Sequence, residues 1–141
     1  MVNLFYEDLE VLDLDPEFFV SWLEKVCEAE GKMLGEVSLI FCSDNYLLEM
    51  NKEHLDHDYY TDIITFDYTE GDVVSGDLFI SVDRTNDNAK TLNVSRETEM
   101  NRVVVHGVLH LIGFGDKSEK DSAVMRSKEN HYLELIVPRE T

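Results

Sequence analysis

The stretch that decides the reading of this chain is Val103-Val104-Val105-His106-Gly107-Val108-Leu109-His110-Leu111-Ile112-Gly113-Phe114-Gly115-Asp116. From Val103 to Ile112 it is apolar on every side except at two histidines and a glycine, the pattern of a buried helix. Two histidines four residues apart on a helix lie one turn apart on the same face, so both imidazoles can reach one ion. Gly113 then ends the helix, because glycine adopts the left-handed conformation that reverses the chain. A residue three positions later can return toward the histidines as a third ligand, and that residue is Asp116. The set points to a metal-dependent hydrolase. Three protein ligands leave a fourth position for water, as in catalytic rather than structural sites.

The same residues admit other readings. His106 and His110 could be core histidines bonded to backbone or carboxylate, and the triple valine could open a strand. Ser95 opposes the strand: it is a good N-cap, Glu97 and Glu99 suit the positive end of a helix, and the pattern from Arg96 to Ile112 is too long for a typical strand. Asp121 and His131 are alternative third ligands. Asp121 has an adequate explanation as a partner of a helix dipole, and His131 needs a tertiary contact that spacing does not supply. The spacing of His106, His110 and Asp116 matches the extended zinc-protease helix, but the glutamate that serves those enzymes as general base is replaced by Gly107.

Working outward, Val2 to Tyr6 reads as a strand. Asp15-Pro16 opens a helix with the apolar face Phe18, Phe19, Trp22, Leu23 and Val26, closed by Gly31 and Gly35. Glu36 to Cys42 alternates as a strand, and Ser43 or Asp44 caps a helix to about Glu53. Asp62 to Tyr68 is a further strand. The acidic, glycine-containing residues 69–76 form a turn into a strand from Asp77 to Val82, and Asp83 caps a short helix toward Leu92. The histidine helix follows, then a last helix from about Ser118 to Ile136. The expected fold is α+β: a small mixed β-sheet packed with helices, the histidines on a central buried helix.

With 141 residues and 43% hydrophobic content, residues 1–141 are expected to form a single domain. The N-terminus has neither a basic leader nor a long apolar run, which predicts a cytoplasmic protein without a membrane partner. Cys27 and Cys42 flank no ligand-like neighbour and read as small buried residues. The formal net charge is -18, unevenly spread. Residues 1–50 hold twelve acids against Lys25 and Lys32, whereas residues 84–128 hold eight bases against six acids. The segment containing the histidines is therefore locally positive, which keeps an anionic substrate open despite the total.

The helix motif, with Asn51, the run Thr61-Asp62-Ile63-Ile64-Thr65-Phe66 and Gly76-Asp77-Leu78-Phe79-Ile80, resembles the YbeY family of bacterial single-strand endoribonucleases, in order and over nearly the whole chain. The family motif reads His-Gly-x-Leu-His-Leu-x-Gly-x-Asp-His and its three histidines bind zinc. The resemblance implies one Zn(2+) per chain on His106 and His110, with Asp116 where the family has histidine and Gly115 where it has aspartate. It implies a single-strand-specific endoribonuclease acting in ribosomal RNA maturation, at late small-subunit 3′-end processing, and in ribosome quality control. Its partners would be single-stranded RNA and a ribosome or ribosomal protein, with no DNA. Many members carry an arginine shortly after the asparagine matched by Asn51, and this chain has Leu55 there. Lys52, His54, His57 and the bases near the metal are the candidates to take over its work. The rival functions are a non-enzymatic ribosome-assembly factor with a structural metal and a zinc metalloprotease. The latter lacks its glutamate.

Overall fold

The computed structural model describes residues 1–55 and 61–136, the side chains of His54 and Leu55 excepted. Among the described residues four strands and five helices follow one another as β1 (Val2–Tyr6), α1 (Pro16–Ala29), β2 (Met33–Cys42), α2 (Asp44–Leu55), β3 (Ile63–Asp67), β4 (Val73–Ser81), α3 (Val82–Leu92), α4 (Arg96–Ile112) and α5 (Glu119–Glu134). The strands form one mixed sheet in the order β1-β2-β4-β3. β1 and β4 run parallel to β2, and β3 runs antiparallel to β4. The expected α+β fold, with helices packed on a small mixed sheet and the histidines in α4, is the one observed.

Strand alternation divides the sheet between two apolar layers. Val37, Leu39 and Phe41 of β2, with Val74, Leu78 and Ile80 of β4, join the large core of α1 and α4. Cys42, Ile64, Phe66 and Phe79 pack on the other side with Tyr46, Leu47 and Met50 from α2. α4 is the most buried helix, with Val103, Val104, Val105, Gly107, Val108, Leu109 and Leu111 all inside. Two glycines set how closely it approaches the sheet. A Cβ at Gly107 would lie 2.7 Å from Ile63 Cδ1 and 2.9 Å from Leu78 Cδ1. A Cβ at Gly76 would lie 2.5 Å from the Phe66 carbonyl and 2.7 Å from a Leu111 methyl. All four distances are below ordinary van der Waals contact: a larger residue at Gly107 would have to displace the ends of Ile63 and Leu78, and one at Gly76 would meet the β3 backbone as well as α4.

Several boundaries differ from the sequence expectation. Gly31, at φ 75°, does close α1, but Gly35 lies inside β2, which starts at Met33 because Met33 and Leu34 pair with Val73 and Val74. That pairing also starts β4 at Val73, so the turn is shorter than residues 69–76; a partner strand overrides the local turn chemistry of Ser75 and Gly76. Ser81, not Asp83, caps α3, accepting the Arg84 N–H at 3.1 Å. Asp83 instead accepts the Asp44 N–H at 2.9 Å, tying α3 to the start of α2. Cys27 and Cys42 are free and buried, and burial pushes their thiols up to about 11 and about 12. Among the described residues no helix is long and apolar enough to cross a membrane.

Candidate metal centre

The histidines project from the last two turns of α4, which Ser95 begins by accepting the Thr98 N–H at 3.0 Å. Gly113 ends the helix at φ 126° while its N–H reaches the carbonyls of Leu109 and His110. The chain then doubles back and brings Asp116 to both imidazoles. His106 Nε2 and His110 Nε2 lie 3.0 Å apart, and Asp116 Oδ2 lies 3.3 Å from the first and 3.4 Å from the second. A tetrahedral ion with bonds of about 2.0–2.2 Å keeps its donors about 3.3–3.6 Å apart, so the two Asp116 distances match and the two imidazole nitrogens need part only by a few tenths of an ångström. The three side chains therefore form the face of a site that could hold one metal ion.

Proton positions support the same conclusion. His110 Nδ1 is 2.9 Å from the Phe114 carbonyl, which can only accept, so this nitrogen carries the proton. His106 Nδ1 donates at 2.7 Å to the Glu129 carboxylate. In the neutral rings both Nε2 atoms are left with bare lone pairs facing each other and a carboxylate oxygen. Three acceptors converging on one point need a cation between them, a proton or a metal ion. Metal-bound histidines are typically held in this way, the outer nitrogen bonded to a carboxylate or carbonyl.

Glu129 was not singled out from the sequence. It sits on α5, 23 residues beyond His106, and only the packing of α5 on α4 brings it in. A signal was present: Met125, Glu129, Tyr132 and Leu133 form the buried stripe of α5, and an acid within an apolar stripe demands a partner. Burial alone would raise the Glu129 pKa, but the His106 bond and the nearby Arg102 and Arg126 hold it below the usual carboxylate range. Burial likewise works to lower the His106 pKa and is outweighed by the bond to Glu129 and the charges of Glu129, Asp116 and Asp62, which raise it. Asp62, just before β3, is pushed up by burial, with His106 offsetting part of the effect.

Next to His106 and Asp116 opens a cavity of about 290 Å³ between α3, α4 and α5, with Asp62 at its edge. Its wall does not carry the positive field expected from residues 84–128, because among the described residues only Arg102 and Arg126 of those bases line it, against Asp62, Glu99, Asp116 and Glu129, and several of the bases pair with acids. Arg84 pairs with Asp44 at 2.6 Å, Lys128 with Glu30 at 2.9 Å, and Arg102 with Glu99 and Glu129 at 3.4 and 3.3 Å. Of the other candidates, Asp121 supplies its N–H to the Ser118 cap, and His131 is exposed with its ring against Tyr132. Neither belongs to the cluster. Lys52 lies on α2, paired with Glu49 at 3.5 Å, and is not part of the cavity wall. Asn51 is buried on the same helix. His57 and the side chains of His54 and Leu55 lie outside the described residues.

This arrangement can be set beside known proteins. The family model described as Endoribonuclease YbeY matches residues 7–137. A relative from Flavobacterium johnsoniae, named Endoribonuclease YbeY, is 49% identical over 136 residues, covering 96% of this chain and 97% of its own length. One of the same name from Porphyromonas gingivalis is 46% identical over 135 residues, covering 96% and 89%. The chain belongs to the YbeY family. A protein of Thermotoga maritima with a known solution structure shares the fold at a TM-score of 0.68 and 29% identity, over 95% of this chain and 87% of that one. Within the YbeY frame the three converging side chains fall on the motif that carried the resemblance, with Asp116 in the last position.

Proposed function

We propose that this chain is a zinc-dependent endoribonuclease of one domain that cuts single-stranded RNA in the cytoplasm. The cellular role proposed is ribosomal RNA maturation, at late small-subunit 3′-end processing, and ribosome quality control, in company with a ribosome or ribosomal protein. The observation that carries the enzymatic part is the convergence of His106 Nε2, His110 Nε2 and an Asp116 carboxylate oxygen beside a cavity. His106, His110 and Asp116 would hold the ion, at the edge of the cavity that His106 and Asp116 line. Zinc bound there supplies Lewis acidity and makes a water nucleophilic near neutral pH.

The chain's own residues do the rest. Glu129 and the Phe114 carbonyl hold the two imidazoles in the tautomer that presents Nε2 inward. Asp116 would bring the net charge of a zinc-loaded site from plus two to plus one, below that of a three-histidine set. Peptide hydrolysis is disfavoured by Gly107, since the position needed for a glutamate base is closed off by Ile63 and Leu78.

The test joins metal content to turnover. The purified protein is expected to hold close to one equivalent of zinc and to cleave a labelled single-stranded RNA, while His110→Ala cleaves nothing and casein is untouched. A His106→Ala, His110→Ala double variant that stays folded with full metal content would place the ion elsewhere. Zinc-dependent casein degradation with RNA left intact would make the protein a protease. One equivalent of zinc with no turnover of RNA would leave it an assembly factor with a structural ion.

A further inference from the structure

The cavity beside the metal centre presents a problem for any polyanionic substrate. Asp62, Glu99, Asp116 and Glu129 all reach its wall, against two arginines, Arg102 and Arg126. A bound ion offsets part of that charge, but a phosphodiester gains negative charge on its non-bridging oxygens as it is attacked, and those oxygens need donors of their own. Arg102 is turned toward protein groups instead. Its side chain is 16% exposed, Nε faces Glu99 at 3.4 Å, and Nη1 is shared between Glu129 at 3.3 Å and Asn130 at 3.0 Å.

Arg126 is placed differently. Its side chain is 58% exposed, and its ion pair is a loose one, Nη1 at 3.8 Å from Glu129 Oε1. Ser122, Arg126 and Glu129 fall at i, i+4 and i+7 on α5, so Arg126 shares a face with the carboxylate that holds His106. It lines the same cavity as His106 and Asp116. A guanidinium is a planar fork matched to two phosphate oxygens, and it stays charged at any pH of interest.

We infer that Arg126 is the residue that grips the RNA backbone at the metal centre, its guanidinium bonding the non-bridging oxygens of the phosphodiester lying across His106 and Asp116. This rests on the reading of the chain as an RNA-cleaving enzyme and adds the group that contacts its substrate. It assigns to α5 a cation that no spacing in the sequence associates with the histidines. Glu129 then has two neighbours of different duty: Arg102 anchors it, and Arg126 leans on it only until substrate arrives.

The test uses the zinc-loaded protein and a ten-nucleotide 2′-O-methyl oligoribonucleotide, with binding followed by fluorescence anisotropy over a salt series. Each phosphate neutralised on a single strand contributes a slope of about 0.7 in log affinity against log salt. Arg126→Met is expected to flatten the slope by about that amount, to lower kcat/KM on cleavable RNA by about 10- to 100-fold, and to leave zinc affinity in chelator competition unchanged. Arg126→Lys is expected to restore the slope but only part of kcat/KM, since an ammonium has the charge without the fork. An unchanged slope in Arg126→Met, or a parallel loss of zinc affinity, overturns the inference; the second result would make Arg126 a support for Glu129. If the wild type cleaves RNA and Arg126→Met does so equally well, this inference alone fails. A wild type that neither binds nor cleaves RNA removes the functional reading as well.

Discussion

Replacing Glu129 by glutamine keeps the shape of a side chain that is 4% exposed and removes only its charge. In the native arrangement the carboxylate can only accept, so the His106 proton is fixed on Nδ1 and Nε2 is free to bind an ion. A glutamine can instead turn its amide and donate to Nδ1, which moves the ring proton to Nε2 and closes that ligand. The charge-assisted bond at 2.7 Å is of the kind that contributes about 1.5–3 kcal/mol. Loss of such an outer partner typically lowers metal affinity by about 10- to 100-fold, or about 1.4–2.7 kcal/mol, and the two ranges agree. Competition against a chelator of known affinity measures the loss. Nitrogen NMR of the imidazoles reports the tautomer of His106 directly. Glu99→Gln is the control, because Glu99 faces Arg102 without touching His106, and it should leave the metal affinity unaltered. Wild-type affinity in Glu129→Gln, with the His106 proton still on Nδ1, would show that hydrogen bonding without charge suffices and would refute the reasoning.

Asp116→Asn removes the anionic member of the set and is expected to weaken zinc binding by roughly one or more orders of magnitude, measured by the same competition. Asp116→His should keep the ion and move the pH optimum of RNA cleavage downward, because a more positive site acidifies its water. Gly76→Ala places a methyl against the Phe66 carbonyl and Leu111; urea unfolding should show a loss of about 1–3 kcal/mol, the usual range for overpacking. Burial works to raise the Glu30 pKa, but bonds from Tyr132 and Lys128 outweigh it and lower the value. A lowered folded-state pKa contributes stability that is present above the unfolded value and lost as pH falls through the folded one. Glu30→Gln should therefore be less stable than wild type at neutral pH, with the gap closing below about pH 4, as read from denaturant midpoints.

The parts legible in the sequence are those whose causes are local. Ser95, the histidine spacing and Gly113 suffice to start α4, orient its ligands and end it, and the element order follows from periodicity and turn residues. The parts that were not legible depend on distant partners. β4 begins at Val73 because β2 is there to pair with it, and Ser81 rather than Asp83 caps α3 because Asp83 is drawn to Asp44. The expected positive field of residues 84–128 does not reach the cavity wall, because folding puts Asp62, Glu99, Asp116 and Glu129 there beside only Arg102 and Arg126 of those bases, while Asp44 and Glu30 from the acidic half of the chain meet Arg84 and Lys128 elsewhere. Glu129 is the largest omission at the site, and it becomes visible only when α5 is known to lie on α4.

The turn after Gly113 ties the assembly of the site to chain length. His106, His110, Asp116 and the Phe114 carbonyl that orients His110 all fall within eleven consecutive residues, so the loop that brings them together is short and closing it costs little entropy. Glu129 arrives only when a second helix docks from farther along the chain. Assembly should thus proceed in two stages: a nascent three-ligand cradle with His106 still free to carry its proton on either nitrogen, then a mature one once α5 is seated. A cation present early would bind the first weakly and favour the second, acting as a template for the final helix.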